Sequence, residues 1–120
     1  MKRFHSIKKN SDFQKVYNHK RSYGNKYLVM YILPSEADTR IGISVSKKVG
    51  NSVVRHRLTR LVREVFRLNK DRLNQTLDIV VVVRATAKDK GFQEIESAFL
   101  HLCGKHNIIS LHASGGTFTA

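Results

Sequence analysis

Cations dominate the stretch from Lys47 to Asp71, and their spacing is that of one helix face. At about 100° per residue, apolar side chains fall on one arc and basic side chains on the opposite arc. The apolar arc contains Val54, Leu58, Leu61, Val62, Val65 and Leu68; the basic arc contains His56, Arg60, Arg63, Arg67 and Lys70, with Arg55 and Arg57 on its shoulders. Glu64 is the only acid near the basic arc, so the i,i+4 ion pairs of a stable charged helix are missing. The pattern favours a helix that binds a polyanion over a merely solvated charged face.

The residues that precede this helix also favour anion binding. Asn51 or Ser52 is a suitable N-cap, and Lys47 and Lys48 stand just before it. The free N–H groups at a helix start attract anions, so two lysines there suggest a phosphate site. Arginine predominates along the helix itself, which suits forked contacts to phosphate and stacking on bases.

Catalytic and metal-binding patterns are missing from the sequence. The nine acids are scattered at spacings that suggest neither a paired acid–base site nor a two-metal cluster. The six histidines match no ligand spacing such as H-x-x-x-H. Cys103 is the only cysteine, which excludes an intrachain disulfide and a zinc site of the usual kind, and we expect a core thiol. The sequence therefore predicts no self-contained active site.

Aromatic residues offer a second chemistry, the stacking of unpaired bases. Phe13 and Tyr17 share a face of a short helix with Val16, and Tyr27 and Tyr31 share one side of a strand. If that side and the small side of the next strand, which includes Ser44, face the same way, they form a trough with aromatic walls. Aromatic residues in such positions more often belong to the core, so packing and RNA stacking both remain open here.

These residues must be positioned by a small set of elements. Residues 27–33 and 41–45 read as strands that we expect to be antiparallel neighbours across a loop after Pro34. Residues 77–83 are almost continuously β-branched, as in a strand buried on both faces. A last helix carries the stripe Phe92, Ile95, Phe99 and Leu102. The order helix, strand, strand, helix, strand, helix predicts a single-domain α+β fold, a two-layer sandwich of a small mixed sheet with about three helices.

The remaining segments show no periodicity. We expect residues 1–9 to form a basic arm, Asn10 or Ser11 to cap the first helix, and residues 20–25 to form a polar loop. Gly, Ser and Thr dominate from Asn107 onward, which indicates a loosely held tail. The domain is therefore expected to span residues 1–108, with a flexible tail over 109–120.

The net charge of the chain indicates the chemical class of its binding partner. The 120 residues include 22 Lys and Arg against nine Asp and Glu, a formal net charge of +13. Such an imbalance in one small domain implies a polyanion, with nucleic acid first and an acidic membrane surface second. No apolar stretch is long enough to span a bilayer and no signal-peptide core follows the basic start, so we expect a soluble cytoplasmic protein without a membrane partner.

Two runs of residues resemble a known family. I-S-V-S-K-K-V-G-N at 43–51, followed by R-H-R at 55–57 and R-L-V-R-E at 60–64, closely resembles the protein subunit of bacterial ribonuclease P. K-N-S-D-F-Q-K-V-Y at 9–17 is similar to that family's first helix, and the match runs from about Arg3 to Ile108. The family's signature has asparagine between the two arginines, where His56 stands here.

The resemblance implies a protein that joins a large catalytic RNA and assists removal of the 5′ leader from precursor tRNA. The RNA and its Mg²⁺ ions would carry out the hydrolysis, and the protein alone would be inactive. It also implies two parallel strands joined by a left-handed crossover through the arginine helix, against the usual handedness.

Resemblance and pattern together assign two sets of site residues. The first is expected to contact the catalytic RNA: Lys47, Lys48, Asn51, Arg55, His56, Arg57, Arg60, Arg63 and Arg67. The second is expected to contact the precursor-tRNA leader in a cleft between the first helix and the sheet: Phe13, Tyr17, Tyr31, Ser44 and Ser46. A structural RNA-binding protein of the ribosome is the alternative, and a DNA-binding or membrane-active cationic protein is a third possibility.

Overall fold

The computed structural model describes residues 5–109. The helices and strands, in chain order, are β1 His5–Ser6, α1 Asn10–Asn18, β2 Ser22–Gly24, β3 Leu28–Pro34, β4 Arg40–Val45, α2 Ser52–Asn69, β5 Leu77–Val83 and α3 Phe92–Lys105. Two single-turn 3₁₀ helices, Lys70–Arg72 and Ala85–Ala87, flank β5. Three helices and one mixed sheet confirm the predicted α+β class.

The five strands form one sheet in the order β1-β4-β5-β3-β2. β5 runs parallel to β4 and antiparallel to β3, so it separates two strands that we had expected to be antiparallel neighbours. That expectation was wrong because β5, apolar on both sides, gains most from the central position. The 18 residues of α2 lie between β4 and β5 in the chain, and a crossover of that length allows the two strands to run parallel.

Both edges of the sheet come from segments that were predicted to be irregular. His5–Ser6 pairs in parallel with the start of β4, and the next residue, Ile7, is buried. Ser22–Gly24 pairs with β3 after a turn in which Lys20 adopts a positive φ of 61°. Parts of the predicted arm and of the predicted loop are therefore edge strands, and residues 1–4 of the arm lie outside the described residues. Two- and three-residue strands are too short to show an alternating pattern in sequence.

Two cores lie on opposite faces of the sheet. The larger one joins α2 and α3 to the side of β3 that carries Leu28, Met30 and Ile32, all at most 1% exposed. The smaller one centres on Ile7, Val16 and Val80 and is covered by α1. Helices therefore cover both faces of the central strand, so the sheet lies between two helical layers and not in the two-layer sandwich that was predicted.

The long helix begins as predicted and ends differently. The Asn51 side chain accepts a hydrogen bond from the Val54 N–H at 3.0 Å, which confirms Asn51 as the N-cap. Near the other end Leu68, predicted to face the core, is 52% exposed, whereas Phe66 and Asn69 are buried. The Asn69 side chain donates to Glu96 of α3 at 3.0 Å, so this end of the helix is directed toward α3. In α1, by contrast, Lys9 occupies the N-cap position without a side-chain bond, so neither Asn10 nor Ser11 caps it.

The chain beyond α3 packs back onto the domain for a few residues. Ile108 and Ile109 are buried, and Ile109 forms an antiparallel bridge with Leu73. The part of the predicted tail from 110 to 120 lies outside the described residues.

A buried histidine lies beneath the β2 edge. His106 is 4% exposed, and its Nε2–H donates to the carbonyl of Met30 at 2.9 Å. Its Nδ1 has no hydrogen-bond partner among the described residues. Burial lowers the pKa of His106 below its ordinary value, because the charged imidazolium would be poorly solvated there.

This histidine predicts loss of stability in mild acid. A lowered pKa in the folded state favours the neutral ring. The contribution of His106 to the stability of the fold is therefore complete above the unfolded-state pKa of 6.5, and it is lost as the pH falls toward the folded-state pKa. We expect the urea concentration at the midpoint of unfolding to decrease when the pH is lowered from 7.5 to 5. His106→Gln, which keeps an N–H donor but cannot titrate, should show a shallower fall; equal slopes for both proteins would contradict the prediction.

Candidate nucleic-acid interface

The exposed face of α2 carries cations without internal partners. His56, Arg60 and Arg63 are all exposed, and none of them forms an ion pair with a carboxylate of residues 5–109. His56 and Arg60 line a shallow depression with Ser52, Val53 and Arg57 at the amino end of the helix. Val53 is 75% exposed, so this depression combines cations with an apolar contact. Such a surface can bind phosphate and still touch a base or a ribose.

Arg67 differs from the other cations of this face. Its Nε and Nη2 donate to the two carboxylate oxygens of Glu64 at 3.0 and 2.5 Å. The guanidinium lowers the pKa of Glu64 in turn. The expected row of uncompensated charge is therefore interrupted at Arg67, because residues three apart on a helix lie side by side.

The two shoulder arginines bond to the backbone. Arg55 is half-buried, and its Nε donates to the carbonyl of Gly50 at 3.2 Å. Arg57 donates from Nη1 to the carbonyl of Lys90 at 3.0 Å and from Nη2 to that of Lys88 at 2.6 Å. Arg57 thus fastens the start of α2 to the loop before α3. No pattern in the sequence indicated this, since the partners lie 31 and 33 residues away.

The basic residues before α2 occupy a tight turn. The N–H of Val49 donates to the carbonyl of Ser46 at 3.1 Å, which leaves Lys47 and Lys48 exposed beside the helix start. Ser46 is also exposed in this turn, beyond the end of β4. The Asn51 side-chain oxygen is already bonded to the Val54 N–H of α2. The two lysines therefore extend the cationic surface past the amino end of the helix.

The residues expected to form a trough lie together on the opposite face of the sheet. The strand register aligns Tyr31, Val80 and Gly42 in one row, and Val82 and Ser44 in the next. The side of β3 that carries Tyr31 and the small side of β4 thus face the same way, which meets the condition for a trough, although β5 lies between them. We call this the aromatic trough, bounded by Phe13, Tyr17, Tyr31, Gly42 and Ser44. Tyr27, expected on the same side as Tyr31, precedes β3 and packs against the larger core instead.

Three rings form the wall of the aromatic trough. The Tyr17 ring meets the Tyr31 ring edge-on at 4.8 Å between centroids, and Phe13 lies 6.4 Å from Tyr17. Partial burial raises the pKa of the Tyr17 hydroxyl, and the neighbouring Ser44 side chain opposes this shift. A Cβ at Gly42 would come within 2.8 Å of the Phe13 ring, so only glycine allows this close packing. All three rings are only partly buried and can serve both packing and recognition.

An ion-pair network docks α1 over the trough. Arg40 makes two bonds to the buried Asp78 of β5, at 2.9 and 2.7 Å, and one to Asp12 of α1 at 3.3 Å. Two carboxylates raise the pKa of the Arg40 guanidinium, mainly through its bonds to Asp78, so it stays charged. Sequence reasoning missed Arg40 because its partners lie 28 and 38 residues away.

Other chemistry finds little support in the part of the chain that the structure describes. No group of three His, Cys, Asp or Glu residues within 5–109 is arranged to hold a metal ion. Cys103 is buried, and burial raises the pKa of its thiol to about 12. Among the described helices, none is both long and apolar enough to cross a membrane. The two remaining features are a cationic helix face and an aromatic trough on opposite faces of one sheet.

Known proteins are similar to this chain in sequence and in fold. The family model described as Ribonuclease P matches residues 1–107. A ribonuclease P protein component from Lachnoclostridium phytofermentans is 55% identical over 106 residues, which cover 88% of this chain and 91% of that protein. The ribonuclease P protein structure from Staphylococcus aureus has a TM-score of 0.81 at 36% identity, with coverage of 90% of this chain and 100% of that one. The structure from Thermotoga maritima has a TM-score of 0.76 at 29% identity, covering 84% and 96%.

The bonds of Arg57 predict a structural role that Arg60 lacks. Arg57→Ala should lower the free energy of unfolding by about 1–2 kcal/mol, since two charged hydrogen bonds to carbonyls are lost. Arg60→Ala should change it by less than about 0.5 kcal/mol, because that side chain is exposed and forms no ion pair or hydrogen bond within residues 5–109. Urea unfolding of both variants tests this; equal losses would contradict the assignment.

Proposed function

This chain belongs to the ribonuclease P protein family, and we propose that it joins a catalytic RNA and assists removal of the 5′ leader from precursor tRNA. The observation that carries the proposal is the exposed row of His56, Arg60 and Arg63, which has no carboxylate partner among residues 5–109. Charges left uncompensated in the folded chain favour a partner that supplies phosphates.

In this proposal the catalytic RNA binds along α2. Arg60 and Arg63 contact phosphates, and Lys47 and Lys48 extend the contact beyond the helix start. Arg55 and Arg57 hold the backbone that presents these side chains, and only their remaining N–H groups can reach RNA. Arg67 contributes less than Arg60, because binding to phosphate competes with its bond to Glu64. His56 takes the place of an amide and offers imidazole for hydrogen bonding or stacking.

The leader of precursor tRNA binds in the aromatic trough. Partly exposed rings beside a small polar strand suit unpaired nucleotides, because stacking tolerates any base. Phe13, Tyr17 and Tyr31 supply the rings, and Ser44 supplies a hydroxyl next to Tyr17. Ser46 lies beyond the strand, nearer to Lys47, so it would contact RNA at the end of the trough.

The Mg²⁺ ions of the reaction are held mainly by the RNA in this proposal. The carboxylates nearest the two surfaces are engaged already: Asp12 and Asp78 with Arg40, and Glu64 with Arg67. Hard cations prefer several oxygen ligands together, and residues 5–109 do not provide such a set. The protein alone is therefore inactive, and it acts in the cytoplasm where bacterial precursor tRNA is made.

Reconstitution tests the proposal. The full chain with transcribed catalytic RNA should cleave precursor tRNA faster at low Mg²⁺ than the RNA alone, because protein cations offset the repulsion between the two RNAs. Arg60→Ala/Arg63→Ala should remove most of this gain while leaving the fold intact. Equal cleavage with and without the protein would overturn the proposal, and co-sedimentation with ribosomal subunits would instead favour a structural ribosomal protein.

Leader recognition can be tested at Tyr31. Tyr31→Leu should weaken binding of leader-bearing precursor tRNA to the holoenzyme roughly tenfold, as expected for one lost stacked base. Binding of mature tRNA, which has no leader, should not change. Tyr23→Leu is the matched control, since Tyr23 is 46% exposed on β2 and lies outside the trough. Unfolding curves must first show that both variants are folded; equal weakening for both tRNAs would contradict a leader site.

A further inference from the structure

A second cationic surface surrounds Tyr27, next to α3. The ammonium group of Lys26 lies 5.6 Å from the centroid of the Tyr27 ring, and that of Lys90 lies 5.7 Å away. Arg84 and Lys88, both exposed, belong to the segment that leads to Lys90. We call these five residues the Tyr27 surface. It packs against the larger core and is separate from the aromatic trough.

Nothing within the described chain neutralises this surface. Lys26, Lys88 and Lys90 form no ion pair with any carboxylate of residues 5–109, although two ammonium groups crowd one ring. Each cation is attracted by the ring, but the two repel one another. Glu94 lines the adjoining depression, and its Oε1 accepts from the Gly91 N–H at 3.1 Å. Asp89, between Lys88 and Lys90 in the chain, and Glu94 are two carboxylates against the four cations of this surface, so the site keeps a net positive charge.

The backbone beneath the Tyr27 surface is held firmly. The backbone N–H of Arg84 donates to the carbonyl of Tyr27 at 2.9 Å, and its side-chain Nη1 donates to the carbonyl of Asn25 at 3.0 Å. The Asn25 side chain donates to the carbonyl of Ala98 in α3 at 2.9 Å and accepts from the N–H of Tyr27. The Thr86 hydroxyl donates to the carbonyl of Lys26. A preorganised site of this kind loses little entropy when it binds.

We infer that the Tyr27 surface binds an unpaired nucleotide of the catalytic RNA, with phosphate at Lys26 and Lys90 and the base or ribose against Tyr27. This inference rests on the proposed function. The catalytic RNA is favoured over the leader because Arg57 bonds to the carbonyls of Lys88 and Lys90, which places this loop against the start of α2. An RNA that lies along α2 reaches the Tyr27 surface, whereas the trough lies across the sheet.

Salt titration of binding tests the phosphate contacts. Lys26→Gln and Lys90→Gln should each reduce the slope of log K against log salt by about 0.7–0.9 for transcribed catalytic RNA. Tyr27→Leu should weaken binding roughly tenfold and Tyr27→Phe should not, because only the ring is needed. Lys105→Gln is the matched control, since Lys105 lies 5.6 Å from the Tyr23 ring at the other end of α3.

The controls separate this inference from the proposed function. If Arg60→Ala weakens binding while Lys26→Gln and Lys90→Gln behave like Lys105→Gln, the Tyr27 surface is not a contact and only this inference fails. If Arg60→Ala also has no effect, the proposed function fails with it. If Tyr27→Leu loses RNA binding and also unfolds, the two lysine variants provide the test, because their side chains are at the surface and their replacement leaves the fold intact.

A tethered cleavage reagent identifies which RNA lies there. Lys88→Cys can be labelled selectively, because Cys103 is buried and the pKa of its thiol is about 12. In the holoenzyme with bound precursor tRNA, an iron chelate at position 88 should cut the catalytic RNA at discrete sites that the same chelate on Lys105→Cys does not produce. Cuts confined to the precursor tRNA, or no cuts, would overturn the inference.

Discussion

The central strand β5 has to be covered on both faces, and the rest of the structure follows from that requirement. Leu77, Ile79, Val80 and Val81 are fully buried, with side chains alternating between the two faces. α2 and α3 cover one face and α1 the other, so the domain has two cores. β5 contributes side chains to both cores, and the sheet around it separates the cationic helix from the aromatic trough. In the proposed function, the catalytic RNA and the leader therefore bind to different surfaces and do not compete for one.

Charge distribution explains why the protein can be so basic and still fold. The few acids that matter are used inside the molecule: Asp78 and Asp12 hold Arg40, and Glu64 holds Arg67. Asp78 is buried beside its half-buried partner Arg40, and a buried carboxylate requires such a partner. Among residues 5–109, cations that form no ion pair with a carboxylate include those along α2, in the turn before it and on the Tyr27 surface. Their mutual repulsion destabilises the free protein, and in the proposed function binding to RNA relieves it.

Much of the candidate site was predictable, because the patterns that indicate it involve residues that are close together in the sequence. The amphipathic period of α2, its Asn51 cap and the exposed Arg60 and Arg63 all follow from residues within one or two turns of one another. Family resemblance extended this to the aromatic residues and the parallel pair β4 and β5. The bonds of Arg57 and Arg40 and the pairing of Arg67 with Glu64 were not anticipated, so three arginines that look alike in sequence have different roles in the fold.

The sequence by itself determined the elements whose patterns are long enough to read, namely the three helices, the three longer strands and the cationic character of α2. Only the tertiary structure decided that β5 lies between β3 and β4, that His5–Ser6 and Ser22–Gly24 complete the sheet, and that Leu68 faces solvent while Phe66 faces the core. The reason is physical. Periodicity reports which side of an element is apolar, whereas strand order, edge pairing and long-range hydrogen bonds depend on segments distant in the chain that compete for the same neighbours.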